Sequence, residues 1–115
     1  MGTTFNATIE HVTHTTFRAT IRTHTFLVDR GAAKGGFDLG PAGGEYMLVS
    51  LGGCFTSHFL AAIRACEAEV TNVRGAVTGT LDGTPERFTA FTMDVSTLAA
   101  LCRHVRRAVR RAQWN

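Results

Sequence analysis

Six of the chain's twelve glycines and one of its two prolines fall in residues 31–44, "GAAKGGFDLGPAGG". Neither a strand nor a helix runs through such a stretch without cost, so it reads as a loop. It is also long, and loops of that length in small domains tend to be functional or mobile. The hydrophobic period changes across it. Before the loop, "FNATIEH" (5–11) and "FRATIRT" (17–23) alternate apolar and polar residues, with Phe5, Ala7, Ile9 and Phe17, Ala19, Ile21 in phase. "HTFLVD" (24–29) follows closely. Period two with β-branched enrichment predicts three half-buried strands, and their short spacing predicts an antiparallel meander.

After the loop the period becomes helical. From Glu45 to about Glu69, Leu51, Phe55, Phe59, Ala62 and Cys66 form one apolar stripe, with Tyr46, Leu48, Val49 and Leu60 adding apolar surface elsewhere. The pattern predicts a long, largely buried helix. "EVTNVRGAVTGTL" and "ERFTAFTMDV" then read as strands joined at "DGTP", and Ser96 or Thr97 is placed to cap a last helix. That helix carries Leu98, Leu101, Cys102, Val105, Ala108, Val109 and Ala112 on one side and five arginines on the other. The order of elements implies an α+β fold, with helices packed on antiparallel sheet.

At 115 residues, 44% hydrophobic and 18% charged, the chain reads as one globular domain over 1–115. So small a core gains from oligomerisation. No uninterrupted apolar run approaches the ~20 residues of a membrane span. "MGTTFNATIEH" lacks the features of a signal peptide. Three cysteines, Cys54, Cys66 and Cys102, do not make a disulfide framework. These features point to the cytoplasm, with the cysteines as thiols. The net charge of +3 is concentrated in Arg103, Arg106, Arg107, Arg110 and Arg111. Without interleaved aromatic residues they read as the solvated face of a helix rather than a nucleic-acid surface.

The chemically suggestive stretch is "MLVSLGGCFTSHF", residues 47–59. Gly52 and Gly53 each cost a helix interior about 1 kcal/mol relative to alanine. Either another backbone approaches closely there, or the helix breaks and presents Cys54 at a fresh N-terminus, where the thiolate is favoured. Packing is the commoner role for a lone cysteine. On a continuous helix Ser50 and His58 share the face of Cys54, and a histidine there can serve as base or steady the thiolate. A polar surface residue is the plainer role for His58. Glu45, nine positions before Cys54, falls about 180° around the axis. His11, His14 and His24 show no metal-ligand spacing, and the glycine loop lacks the lysine and hydroxyl residue of a P-loop.

The run "HTFLVDRGAAKGGFDLGPAGGEYMLVSLGGCFTSHFLAAI" resembles the signature region of OsmC/Ohr-type proteins. The matching residues are His24, Asp29, Gly35, Gly36, Asp38, Gly40, Pro41, Glu45, Leu51, Gly52, Gly53 and Cys54. The resemblance implies an OsmC-like fold, with antiparallel sheets around a long central helix in an intertwined homodimer. It also implies reduction of organic hydroperoxides without a bound cofactor, recharged by an external dithiol. Cys54 would be the peroxidatic cysteine and Cys102 the downstream candidate for resolving it. Glu45 with Arg22 or Arg30 would activate the thiolate, with Arg18 behind them. The chain departs from the pattern in three places. Its glutamate stands nine rather than ten residues before the cysteine, the usual proline is replaced by "AGG", and Cys102 comes early. The alternative is a non-catalytic dimer of the same fold that binds an apolar small ligand.

Overall fold

A computed structural model describes residues 2–67, 72–97 and, as backbone, 112–114. The elements are β1 (Ala7–Thr13), β2 (Thr16–Ile21), β3 (His24–Val28), a short 3-10 turn (Ala32–Lys34), α1 (Gly43–Ala65), β4 (Arg74–Asp82), β5 (Arg87–Ser96) and β6 (Ala112–Trp114). Among the described residues, two three-stranded antiparallel sheets, ordered β1-β2-β3 and β4-β5-β6, and one long helix make an α+β architecture. The chain divides into two compact units, Met1–Met47 and Leu48–Asn115.

The first unit is the meander. Ile9 pairs with Ala19 and Ala19 with Phe26, while Glu10 stands opposite Arg18. The period-two pattern therefore separates an apolar face from one carrying threonines and an opposite-charge pair. The strands are joined by two-residue turns, each led by a non-glycine residue in the left-handed region, His14 (φ 45°) and Arg22 (φ 52°).

Asp29, just past β3, ties this unit together. Its side chain is buried, at 2% exposure. Thr15 Oγ1 donates to Oδ1 at 2.6 Å and Thr16 Oγ1 to Oδ2 at 2.9 Å. The backbone N–H groups of Arg30 and Leu39 add bonds of 2.7 and 3.2 Å. Its own N–H donates to Pro41 O at 3.1 Å. Asp29 thus ties Thr15 of the β1–β2 turn and Thr16 at the start of β2 to the glycine-rich loop at Leu39 and Pro41. The loop lies close enough that a side chain at Gly36 would collide with the Arg30 carbonyl, and one at Gly40 with the Leu27 carbonyl.

The loop delivers the chain to α1. Ala42 is the N-cap, since Tyr46 N–H already donates to its carbonyl at 3.1 Å. Glu45 Oε1 reaches back to accept the Ala42 N–H at 3.0 Å, which is half of a capping box. Tyr46 O–H donates to Leu27 O at 2.7 Å, and its ring lies 5.0 Å from that of Phe26.

In the second unit α1 lies on the β4–β5 hairpin. Phe59, Ile63, Met93 and Val95 are buried, with Leu51, Phe55, Val73 and Val77 packed against them. The inward row is Leu51, Phe55, Phe59, Ile63. Ile63 replaces the expected Ala62 because steps of four follow the slant of the row on the helix surface. Burying each of these large side chains contributes roughly 2 kcal/mol.

Several expectations are corrected here. The helix does not break at the glycines. At Gly52 the β4 strand comes close: a Cβ there would stand 3.0 Å from Val77 Cγ2. Gly53 faces open space. The helix is also less buried than its composition suggests, with Val49 66% and Met47 48% exposed. Over an 18-residue window its mean hydropathy is 1.4, so by length and composition it is long and apolar enough to cross a membrane. Scattered polar residues such as Ser50 and His58 hide this from a search for an uninterrupted apolar run. At the C-terminus, Ala112 was expected on a helix. Residues Ala112–Trp114 instead form β6, pairing Met93 with Ala112 and Phe91 with Trp114. The free edge of β5 supplies backbone partners that a helix end would lack. The rest of the expected helix, with Cys102 and the five arginines, lies outside the described residues.

The four donors hold the Asp29 carboxyl down, Thr15 foremost, from its ordinary 3.8 to about 2. A folded-state pKa below the unfolded one means the unfolded chain binds the proton more readily. This contribution to stability is therefore complete above about pH 4 and is lost as pH falls through about 2. Urea denaturation of wild type should weaken across that window. Asp29→Asn should be less stable at neutral pH and should lack that slope; an identical slope in the variant would refute the assignment.

Candidate functional site

The site is built on α1 and β5 within the second unit. Ser50, Leu51, Cys54, Phe55 and His58 of α1, with Met93 of β5, line a pocket of about 310 Å³. Positions 50, 54 and 58 share one face because the helix continues through them. Leu51, Phe55 and Met93 make the walls apolar. Phe55 is held in turn by Phe59, their rings nearly parallel at 6.4 Å. Met93 is 1% exposed, so this wall is firmly packed. Cys54 itself is exposed. It is not a packing cysteine.

His58 Nδ1 lies 2.8 Å from the Cys54 carbonyl oxygen and 3.8 Å from Cys54 Sγ. A carbonyl oxygen only accepts, so Nδ1 carries a proton and donates. An imidazole nitrogen that already holds its proton cannot take another from the thiol. Of the two roles open to His58 beside a thiol, the base is therefore excluded at Nδ1.

The other candidate residues have different partners. Glu45 caps α1 through the Ala42 N–H. Arg22 sits in the β2–β3 turn, where its Nη2 donates to His24 Nε2 at 3.3 Å. Arg30 is an exposed residue that gives its N–H to Asp29 and accepts the Asp38 N–H on its carbonyl at 3.1 Å. All three belong to the first unit and Cys54 to the second. On an unbroken helix nine residues also turn Glu45 and Cys54 to opposite sides. His11 Nε2 donates to His14 O at 2.7 Å, and the His14 ring packs edge-on against Phe37 at 4.8 Å. Among the described residues no three His, Cys, Asp or Glu side chains converge as a metal site.

One lining residue is not singled out by the sequence, and one residue of the signature run has a role outside the pocket. Met93 completes the pocket, and its only sequence signal was the period-two pattern of β5. Asp29 has a structural role whose donors, Thr15 and Thr16, lie in a turn far back along the chain. A second groove, of about 420 Å³, runs between α1 and β4 past Gly52, Gly53 and Gly75, and none of the described residues that line it is titratable. No family model and no curated protein matches the sequence.

Cys66 follows α1 directly, its N–H still bonded to Ala62 O at 3.2 Å. Twelve residues of helical rise separate it from Cys54, about 18 Å. A disulfide needs Cα atoms within roughly 7 Å. Peptide mapping after mild peroxide treatment should show no Cys54–Cys66 bond within one chain; finding it as the major product would mean the helix opens.

Proposed function

We propose that the protein is a thiol-dependent hydroperoxide reductase of the OsmC/Ohr type, with Cys54 as nucleophile. The observation that carries this reading is an exposed thiol on the wall of an apolar pocket with an N–H donor beside it. Apolar walls suit the carbon skeleton of an organic hydroperoxide better than hydrogen peroxide. The Cys54 thiolate attacks the terminal peroxide oxygen and the O–O bond breaks. The sulfur becomes a sulfenic acid, and the departing alkoxide takes a proton to leave as an alcohol. One thiolate of an external dithiol then attacks that sulfur and expels water, after protonation, to give a mixed disulfide. The second thiol closes the dithiol's own disulfide and returns Cys54. Such recharging suits a reducing compartment, the cytoplasm. Cys102 is the candidate for an internal resolving thiol. Glu45, Arg22 and Arg30 are the candidate activators of the thiolate in this reading.

A second reading, an apolar-ligand module without catalysis, draws on the 420 Å³ groove, whose described lining residues include no titratable group. Consumption of cumene hydroperoxide with dithiothreitol separates the two. Wild type should turn over and Cys54→Ser should lose at least about a hundredfold of the rate. Equal turnover in the two proteins, or none in either, would sink the reductase reading.

The reading includes a homodimer. Phe5 is 69% and Ile9 60% exposed in the first unit, and Val49 66% in the second, large apolar side chains that association would cover. Light scattering at micromolar concentration should return twice the chain mass; a stable monomer would reject it.

A further inference from the structure

The contact between His58 and the Cys54 carbonyl has a consequence for the sulfur. It keeps a proton on Nδ1 whether the imidazole is neutral or charged, because the carbonyl has no proton to offer. The same N–H lies within 3.8 Å of Sγ, so carbonyl and sulfur share one donor. Among the described residues that line the pocket there is no lysine or arginine, and Cys54 and His58 are the only titratable side chains. Leu51, Phe55 and Met93 offer the sulfur no hydrogen bond.

We propose that His58 is a second catalytic residue of this site, its Nδ1–H stabilising the Cys54 thiolate as a donor rather than generating it as a base. The inference rests on Cys54 being the nucleophile of the proposed function. In the step concerned, the Sγ–H proton passes to solvent, its electron pair stays on sulfur, and that pair accepts the Nδ1–H. No electron leaves the site. Because the donor persists in both charge states of the imidazole, its effect does not vanish when the ring becomes neutral. A residue acting as base at Nδ1 would behave in the opposite way.

Alkylation by iodoacetamide reads the thiolate directly, with the rate at Cys54 followed by peptide mass spectrometry over roughly pH 5 to 10. On the full chain, His58→Leu should be alkylated about fivefold more slowly than wild type at neutral pH, with its profile displaced to higher pH. His58→Gln, whose amide N–H can reach back to position 54, should recover most of the rate. If His58→Leu does not fold, His58→Gln against His58→Asn carries the same test, since the asparagine amide falls one methylene short. A His58→Leu profile that superimposes on wild type overturns the proposal, as does a glutamine variant no faster than the leucine or asparagine one. Alkylation needs no peroxide. Absence of cumene hydroperoxide turnover would therefore strike the reductase reading and leave the donor role of His58 to be decided by these rates.

Discussion

One buried carboxylate holds the N-terminal unit in shape. Asp29 accepts from the hydroxyls of Thr15 in the β1–β2 turn and Thr16 at the start of β2, and from two backbone N–H groups of the segment that follows β3. A buried charge is tolerable only when its lone pairs are occupied, and here all four donors converge on the two oxygens. The arrangement closes the glycine-rich loop against the meander. It thereby sets where the chain turns into α1, because Pro41 is bonded to the Asp29 N–H and Ala42 is the N-cap. Glycine at positions 36 and 40 follows from the same closure, since the loop passes against backbone carbonyls with no room for a side chain.

The long helix answers to several constraints along its length. Its first turn is closed by Glu45 and pinned by Tyr46 to the β3 backbone. Further on, Gly52 lets β4 come close, and the row Leu51, Phe55, Phe59, Ile63 supplies the apolar base. The same row supports the pocket beside Cys54. The exposed Cys54 thiol has the His58 N–H as its neighbour four residues on, and Phe55 and Met93 make the wall beside it apolar.

The assignment of Glu45 shows how a motif residue acquires two explanations. The resemblance makes it an activator of the thiolate, whereas in the chain its carboxylate satisfies an orphan N–H at the start of a helix. The capping role needs only the local sequence. An activating role would need Cys54 brought near by something besides the helix they share. Arg22 and Arg30 stand similarly, one bonded to His24 and the other set beside the Asp29 cradle.

What the sequence by itself determined is whatever depends on local periodicity. Alternation of Phe17, Ala19 and Ile21 specified a strand, six glycines in fourteen residues specified a loop, and spacings of four placed Ser50, Cys54 and His58 on one face. These are properties of backbone geometry, which repeats every two or 3.6 residues whatever surrounds it. The tertiary structure decided what depends on partners distant in the chain. Four donors from a turn and a loop gathered on Asp29, Val77 came within reach of Gly52, and Met93 closed the pocket. Ala112–Trp114 became a strand because β5 offered it hydrogen bonds. The proton on His58 Nδ1 belongs to the same class: spacing put the ring near the thiol, but only the orientation of that ring toward a carbonyl made it a donor.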